Sequence, residues 1–273
     1  MKLATYAFDD GVRIGIVDDG SIVDSGLAEP LMDMIDAPGL ERLSAVAAKG
    51  EHKPFAPERL LAPIPHPPLF LGVGLNYRDH AKEVGRNLET TSAVFSKPSN
   101  SVAAPFADVA SHHSSFDYEG ELGVVIGRRC YRATAAVAAG YVAGYVIVND
   151  LSVRELLNPH SLILGKGGVG HAPFGPWLTT ADEIADPHAL SILTSVSGEV
   201  RQSSNTHEMH RNLWQLIAWL SQSLALEPGT IVATGSPGGT GASFEPPRWL
   251  VPGDVVRVEI AGLGTIENRV VAP

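Results

Sequence analysis

The chain has 273 residues, of which 44% are hydrophobic and 18% charged, a balance typical of a globular protein. Its formal net charge of −10, without any Lys- or Arg-rich cluster, argues against nucleic acid as a partner. A single cysteine, Cys130, cannot form a disulfide framework, and no apolar run reaches the roughly 18–20 residues that cross a bilayer. The N-terminal residues lack the apolar core of a signal peptide. We therefore expect a cytoplasmic protein that does not enter a membrane.

The N-terminal part of the chain predicts a small β-rich domain. Three short segments, KLATYAF, VRIGIV and SIVDSG, are typical of strands, and apolar residues spaced three and four apart indicate helix between residues 29 and 50. The segment LAPIPHPPLF, residues 61–70, carries four prolines and is incompatible with a helix or a central strand. We interpret it as a linker between a small domain, residues 1–62, and a main domain, residues 63–273.

The main domain predicts a mainly β (α+β) fold. Val- and Ile-rich runs, separated by Gly and Pro, indicate strands. The predicted strands are PLFLGVG, LGVVIG, YVAGYVIVN, PWLTT, LSILTSVSG, TIVATG, VVRVEIAG and GTIENRVV. Two helices interrupt them, over residues 77–86 and 208–224, and the second carries a stripe of leucines and an isoleucine at helical spacing.

Acidic residues alternate in the segment FDYEGELGVVIG, residues 116–127. In a strand, Glu119 and Glu121 project from the same face with Cα atoms about 6.6 Å apart, where they repel each other and lose hydration. The long apolar strand that follows ends at Asp150, which can supply a third carboxylate. Three such oxygen ligands suit Mg²⁺, Mn²⁺ or Ca²⁺ better than zinc. The alternative is an exposed edge strand whose acids lie in water.

A histidine, a glutamate and a lysine are candidate catalytic residues. His80 and Glu83 lie three residues apart on a predicted helix and so share one face. A carboxylate beside an imidazole orients the ring and supports its action as a general base, although a solvated surface pair is the alternative. Lys166 lies in the segment LGKGGVG, where the alternative is a flexible surface loop.

Six segments, in the same order along the chain, resemble the fumarylacetoacetate hydrolase superfamily, in particular its shorter, bacterial-type, acylpyruvase-like members. They are FLGVGLNYRDHAKEVG, DYEGELGVVIG, GYVIVNDLSVRE, GKGGVGHAPFGPWLTTADEI, LEPGTIVATGSPGGTG and LVPGDVVRVEIAGLGTIENRVV. The resemblance spans about residues 68–271. It implies a mixed β-sandwich roll preceded by a small β-rich domain, usually a homodimer, with bound Mg²⁺ or Mn²⁺.

The resemblance also implies roles for individual residues. A helix that orders over the substrate would carry the histidine base, and the lysine would stabilise negative charge on a substrate oxygen. Arg154 matches a commonly basic position, with an ion pair that braces the metal-binding loop as the alternative. The implied metal ligands are Glu119, Glu121 and Asp150, the catalytic residues His80, Glu83 and Lys166, and the substrate-binding residues Arg154, Thr234 and Gly235.

Two departures from the family pattern affect the expected reaction. Leu157 stands where the family often has a glutamine that stabilises an oxyanion, and Gly167 and Gly168 follow the lysine in place of a serine and a bulky residue. We expect metal-assisted hydrolysis of a C–C bond in a carboxylate-bearing 1,3-diketone, such as an acylpyruvate. Oxaloacetate decarboxylation or keto–enol tautomerisation through the same metal enolate is the alternative, and Leu157 favours it. A metal-stabilised binding protein without catalysis is a third hypothesis.

Overall fold

The architecture is a large mixed β-sheet with a smaller antiparallel sheet packed against one of its faces. The structure is a computed structural model that describes residues 1–18, 20–158 and 160–273, apart from the side chains of Thr90 and Thr91. Within these residues the strands, numbered in chain order, are β1 (Lys2–Phe8), β2 (Gly11–Asp18), β3 (Ser21–Asp24), β4 (His52–Pro54), β5 (Leu60–Leu61), β6 (Phe70–Gly74), β7 (Ala93–Ser96), β8 (Val102–Ala103), β9 (Phe116–Asp117), β10 (Gly120–Ile126), β11 (Val142–Asn149), β12 (Ser152–Val153), β13 (Ala172–Thr180), β14 (Ser191–Val196), β15 (Glu199–Asn205), β16 (Ile231–Ala233), β17 (Val255–Ile260) and β18 (Gly264–Arg269). The α-helices are α1 (Ala37–Ala47), α2 (Arg78–Glu83), α3 (Leu88–Thr91), α4 (Ile163–Lys166) and α5 (Leu213–Ser221).

The N-terminal strands form one end of the large sheet. The three strands predicted by the sequence, β1 to β3, pair as an antiparallel meander. Strand β1 also pairs with β13, so that Lys2 lies opposite Thr179. Helix α1 lies in the region predicted to be helical, and the Asp36 side chain caps it by accepting a hydrogen bond from the Gly39 amide. The division of the chain at residue 62 stays a prediction.

The central strands of the large sheet are buried on both faces. Along β11, Tyr145 and Ile147 face the core shared with the smaller sheet, whereas Val146 and Val148 face the N-terminal elements. Because side chains alternate between faces, a strand that is covered on both sides has apolar residues at successive positions. The large sheet has the order β4-β3-β2-β1-β13-β11-β10-β16-β6-β7, and the smaller one β15-β14-β17-β18. The predicted mainly β fold is confirmed.

Both predicted helices of the main domain are present, but each is shorter than the predicted ranges of 77–86 and 208–224. Helix α2 ends at Glu83, since Gly85 adopts the left-handed conformation, φ 65°, that terminates helices. Helix α5 begins at Leu213, because the Asn212 side chain accepts a hydrogen bond from the Gln215 amide. Among the described helices, none combines the length and the apolar character that crossing a bilayer requires.

The pairing of β10 with β11 brings the two acidic segments together. In this antiparallel pair Gly120 lies opposite Asn149, so Glu119 immediately before β10 meets Asp150 immediately after β11. The Asp150 amide donates a hydrogen bond of 2.8 Å to the Glu119 carbonyl. Glycine is required at position 120, because a Cβ there would lie 2.1 Å from the Thr194 hydroxyl of the smaller sheet.

Candidate metal centre and active site

Three carboxylates converge at the adjoining ends of β10 and β11. Oxygens of Glu119, Glu121 and Asp150 lie within 4.8 Å of one another, and all three residues are buried. The sequence placed both glutamates on one strand, whereas Glu119 lies just before β10. The convergence that the sequence predicts is nevertheless observed, because the extended chain keeps both side chains on the same side.

Two cations contact Glu119. The Lys166 ammonium group donates to Glu119 Oε2 at 2.5 Å and to Asp150 Oδ2 at 2.7 Å. The Arg154 guanidinium donates to Glu119 Oε1 at 2.7 Å and to Asp117 Oδ2 at 2.7 Å. Burial opposes the ionisation of Glu119, but Lys166 and Arg154 together hold its pKa well below the usual range. Arg154 therefore braces the carboxylate cluster, which the sequence offered as an alternative to substrate contact.

Lys97 is a member of this cluster that the sequence reasoning missed. It follows β7, its side chain is inaccessible to solvent, and its ammonium group contacts Asp150 Oδ1. The same group donates a hydrogen bond of 2.6 Å to the Lys166 backbone carbonyl. A lysine directly after an apolar strand, in the segment AVFSKP, is the signal that could have identified it. Lys97 thus ties Asp150 to the segment that carries Lys166.

Glu121 is the carboxylate of the cluster whose negative charge is least compensated by neighbouring cations. Within the described residues it forms no ion pair, and its Oε2 accepts a hydrogen bond of 2.9 Å from the Gly235 amide. Burial, with the neighbouring Asp150 and Glu119 carboxylates, raises the pKa of Glu121 well above the usual value. A buried carboxylate in this setting is stabilised either by a proton or by an additional cation.

The three carboxylates fit a hard divalent cation. Oxygen ligands lie roughly 2.0–2.6 Å from Mg²⁺ or Ca²⁺, so ligands of one ion lie within about 5 Å of one another. The oxygens of Glu119, Glu121 and Asp150 lie within 4.8 Å of one another and so meet this condition. The neighbouring carboxylates disfavour ionisation of Glu121, and a bound cation would offset their repulsion. The donor set contains only carboxylate oxygen, which favours Mg²⁺ or Mn²⁺ over zinc.

Asp117 is a buried acid that organises the loop beside the cluster. Besides Arg154, its carboxylate accepts hydrogen bonds from the amides of Gly241 at 2.7 Å and Ala242 at 3.0 Å. Gly241 can approach this closely because it lacks a side chain: a Cβ there would lie 2.6 Å from Asp117 Oδ1. Asp117 therefore connects the 240–243 turn to the arginine that holds Glu119.

The predicted substrate-binding pair, Thr234 and Gly235, lies beneath the carboxylates. The Thr234 hydroxyl donates to the Leu122 carbonyl at 2.9 Å, and neither residue lines the cleft described below. Gly235, at φ 102°, instead directs its amide toward Glu121. The buried amide side chain of Asn76 fixes this turn by donating to the Thr234 carbonyl at 2.8 Å. A contact of Thr234 or Gly235 with substrate stays a prediction.

His80 and Glu83 form the side-chain pair expected from their spacing on α2. His80 Nδ1 lies 3.0 Å from Glu83 Oε2, and both Glu83 oxygens accept hydrogen bonds from the Gly239 amide, at 3.0 and 3.1 Å. The glutamate is therefore anchored to the 234–239 turn and in turn orients the ring. Because Nδ1 faces Glu83, the other ring nitrogen, Nε2, is available for a substrate or a water molecule.

A cleft of about 760 Å³ opens over the carboxylates. Its charged inner wall contains Glu119, Glu121, Arg154 and Lys166, and His80 lies on the wall formed by α2. Leu157, at the position where the sequence resemblance implies a glutamine, also lines the cleft, so that position is apolar. His80, Glu119, Glu121 and Lys166 thus line one cavity, and Asp150 and Glu83 contact two of these lining residues, Lys166 and His80.

Comparison with known proteins identifies the family. A family model described as fumarylacetoacetate (FAA) hydrolase, C-terminal, matches residues 70–271. The chain belongs to the fumarylacetoacetate hydrolase family. A relative from Burkholderia lata, named as a hydrolase, is 38% identical and aligns with 97% of this chain and 96% of its own.

Solved structures of the fumarylacetoacetate hydrolase family share the whole fold. Fumarylacetoacetate hydrolase from Exiguobacterium antarcticum is 33% identical, with a TM-score of 0.87 and 100% of both chains covered. Maleylpyruvate hydrolase from Sphingobium sp. SYK-6, in complex with manganese(II) and pyruvate, is 29% identical, with a TM-score of 0.83, covering 100% of this chain and 99% of its own. A 2-hydroxyhepta-2,4-diene-1,7-dioate isomerase from Mycobacterium marinum is 28% identical, with a TM-score of 0.79, and the match covers 100% of this chain and 98% of the isomerase. The predicted fold type is therefore confirmed.

Proposed function

We propose that this protein is a divalent-metal-dependent hydrolase that cleaves a C–C bond in a carboxylate-bearing 1,3-diketone, such as an acylpyruvate. The observation that carries the proposal is the convergence of three buried carboxylates, within 4.8 Å of one another, two of which line the cleft that also contains His80 and Lys166. Family membership and the two hydrolases among the structural relatives support hydrolysis. The manganese(II) and pyruvate in one of them support a metal and a 2-oxo acid.

Glu119, Glu121 and Asp150 are the proposed ligands of Mg²⁺ or Mn²⁺. When bound, such an ion supplies Lewis acidity toward the oxygens of the substrate's 2-oxo acid group. The protein's own contribution is to hold the three carboxylates in place before the substrate arrives. Lys97 and Lys166 contact Asp150, Lys166 and Arg154 contact Glu119, and the Gly235 amide contacts Glu121.

His80 is the proposed general base. It takes a proton from a water molecule through Nε2, while Glu83 accepts a hydrogen bond from Nδ1–H and stabilises the imidazolium that forms. The hydroxide attacks the carbonyl carbon remote from the carboxylate, giving a tetrahedral oxyanion. Glu83 keeps the ring in this orientation, because the Gly239 amide holds its carboxylate by donating to both oxygens.

Lys166 is the proposed electrostatic stabiliser of the charge that develops on substrate oxygen. Collapse of the tetrahedral oxyanion breaks the C–C bond, and the bonding electron pair passes to the 2-oxo acid fragment as its enolate. The His80 imidazolium then returns a proton to the enolate carbon. The products are a carboxylic acid, which contains the oxygen from water, and a 2-oxo acid, so atoms and charge balance.

Isomerisation is a second candidate function, favoured by Leu157. The cleft lacks a side-chain donor at this position, which weakens oxyanion stabilisation after water attack. Proton transfer between carbon and oxygen, as in a keto–enol tautomerase, needs His80 and the stabilised enolate but no attack by water. The structural likeness to a 2-hydroxyhepta-2,4-diene-1,7-dioate isomerase supports this alternative, and decarboxylation of oxaloacetate would use the same enolate.

One experiment separates these functions. Metal-free protein, prepared with a chelator, is incubated with Mg²⁺ or Mn²⁺ and an acylpyruvate in water enriched in ¹⁸O. Hydrolysis predicts loss of the diketone absorbance, equimolar release of both acids and one ¹⁸O atom in the carboxylic acid. Enol–keto conversion without cleavage would assign the tautomerase, and CO₂ release from oxaloacetate the decarboxylase. Absence of turnover with any of these substrates would refute the enzymatic proposal.

The homodimer expected from the family resemblance and the cytoplasmic location remain proposals. Light scattering of the purified protein tests the first, and fractionation of cells that produce it tests the second.

A further inference from the structure

Gln202 is a buried glutamine at the edge of the smaller sheet. It lies on β15, and of the seven residues of this strand, all of which the structure describes, only Gln202 is buried. Glutamine side chains are usually exposed in folded proteins. The amide of Gln202 forms three hydrogen bonds, so both of its polar atoms have partners. These partners show what the side chain holds in place.

The oxygen of Gln202 holds the segment that carries the two glutamates of the cluster. Gln202 Oε1 accepts a hydrogen bond of 3.0 Å from the amide of Gly120, the residue between Glu119 and Glu121. A Cβ at Gly120 would lie 3.4 Å from the same oxygen, so the backbone between the glutamates packs directly against this side chain. Gln202 therefore constrains the backbone from which both glutamate side chains extend.

The nitrogen of Gln202 holds the 234–239 turn. Gln202 Nε2 donates to the Ser236 hydroxyl at 2.8 Å and to the Pro237 carbonyl at 2.9 Å. The end of the turn also packs against β15, because a Cβ at Gly239 would lie 2.0 Å from a backbone oxygen of that strand. The middle and the end of the turn are thus fixed on the smaller sheet.

Two amides of this turn hold carboxylates of the candidate active site. The Gly235 amide donates to Glu121 at 2.9 Å, and the Gly239 amide donates to both oxygens of Glu83. Glu121 is a proposed metal ligand, and Glu83 orients the proposed base. Because Gln202 contacts the turn between these two amides and also the glutamate segment, one buried side chain connects the proposed metal site with the proposed base.

We infer that Gln202 is a positioning residue, which holds Glu121 and Glu83 in the relative placement that catalysis requires. It acts through the 234–239 turn and Gly120, since its own side chain does not line the cleft. The inference rests on the proposed function, because it assumes that Glu121 binds the metal and that Glu83 orients the base. Groups that orient metal ligands typically contribute about 10–100-fold to metal affinity, and a misplacement of about 1 Å can cost about 10²-fold in rate.

Binding of Mn²⁺ to the metal-free protein provides a test that does not depend on turnover. Gln202→Met keeps the length of the side chain and removes its three hydrogen bonds. Calorimetry should show a Kd for Mn²⁺ about tenfold higher than that of the wild type. Ser236→Ala removes one of the three hydrogen bonds and should raise the Kd about threefold. Unchanged affinity in Gln202→Met, or in Ser236→Ala if Gln202→Met does not fold, would overturn the inference.

Thr206→Val is the matched control for loss of buried hydrogen bonds. Thr206 follows β15 directly and is buried, and its hydroxyl donates to the Pro187 carbonyl and accepts from the Leu190 amide. None of these three residues lines the cleft. Urea unfolding should show lower stability for both Thr206→Val and Gln202→Met, whereas only Gln202→Met should lose Mn²⁺ affinity. Equal loss of affinity in the control would show that Gln202 acts through stability alone, and would overturn the inference.

Turnover of an acylpyruvate at saturating Mn²⁺ tests the connection to Glu83. We expect Gln202→Met to lower kcat about 10–100-fold and to change KM less than about threefold, because Gln202 does not contact the substrate. In combination with Glu83→Gln, the loss should be smaller than the product of the two single losses, since both changes disturb the same ring. Fully multiplicative losses would contradict an action through Glu83. If the wild type turns over no acylpyruvate, the proposed hydrolase is refuted, and the Mn²⁺ affinities still decide the role of Gln202.

Discussion

The Lys97 ammonium group donates a hydrogen bond of 2.6 Å to the backbone carbonyl of Lys166, so one buried lysine positions another. It also contacts Asp150, and burial lowers the pKa of Lys97 against the opposing effect of that carboxylate. Removing the charge leaves Asp150 Oδ1 and a backbone carbonyl without a donor in a site that water does not reach.

Replacing Lys97 with methionine should therefore destabilise the metal-free protein. We expect the free energy of unfolding to fall by about 3 kcal/mol, the typical cost of breaking a buried ion pair. Urea unfolding measures this change, with Lys53→Met as the matched control, because Lys53 is largely exposed and lies 3.5 Å from Asp24. The control should change stability by less than about 0.5 kcal/mol. An unchanged urea midpoint for Lys97→Met would show that Lys97 is not required to hold the cluster together.

Glutamine at position 119 should destabilise the metal-free protein, whereas glutamine at position 121 should not. Glu119→Gln leaves Lys166 and Arg154 with a weaker partner and should cost about 2–3 kcal/mol of stability. Glu121→Gln removes a buried carboxylate that has no cation partner in the described residues, so stability should not fall. Both variants should lose metal affinity by about 100-fold or more, as measured by calorimetry and by metal analysis of purified protein. Full metal content in Glu121→Gln would remove that residue from the ligand set.

Substitution of His80 should affect the chemical step and leave the metal in place. We expect His80→Ala to lower kcat by about 10²–10⁴-fold, the usual contribution of a positioned general base. The effect of Glu83→Gln should be smaller, about tenfold, because the amide oxygen can still accept a hydrogen bond from Nδ1–H at the observed 3.0 Å. Metal content, measured in parallel, should match the wild type. A His80→Ala enzyme with wild-type kcat would exclude His80 as the base.

Leu157→Gln tests whether the missing donor limits hydrolysis. The leucine packs against Gly165, where a Cβ would lie 2.5 Å from Leu157 Cδ2, and glutamine has a similar length. An amide donor facing the cleft should raise the rate of C–C cleavage relative to tautomerisation by about tenfold, a fraction of what an oxyanion donor typically contributes. Product analysis by NMR measures the partition between the two reactions. A lower share of cleavage would mean that the apolar surface of Leu157, and not a lost donor, determines how the enzyme partitions between cleavage and tautomerisation.

The stability of the N-terminal sheet should depend on pH through Asp24. Hydrogen bonds from Arg13 at 2.7 and 2.9 Å lower the pKa of Asp24 to about 2. A lowered pKa in the folded state means that the stabilisation is present above the usual value of 3.8 and is lost as the pH falls toward 2. Because the pair is partly exposed, Asp24→Asn should cost about 1 kcal/mol at pH 7. The cost should be several-fold smaller at pH 2, where about half of the Asp24 carboxyl groups in the folded protein are protonated. Urea unfolding at both values checks the difference, and an equal cost at pH 2 would contradict the pairing.

Local patterns in the sequence were sufficient for the fold class and for the proximity of several candidate site residues. Alternating and continuous apolar runs predicted the strands, because burial on one or both faces of a sheet imposes those patterns. The spacing of Glu119 and Glu121 placed both side chains on one side of an extended segment, and the three-residue spacing of His80 and Glu83 placed them on one face of a helix. Each of these relationships joins residues that are close in the chain.

The contacts that cross the fold could be seen only in the tertiary structure. The chain itself determined a β protein with candidate ligands Glu119, Glu121 and Asp150, since side-chain direction follows from local backbone geometry. The register of β10 against β11, the burial of Lys97 against Asp150, and the anchoring of Gly235 on Glu121 join segments 29 to 114 residues apart. No local pattern encodes such pairings, because they depend on how the sheets pack.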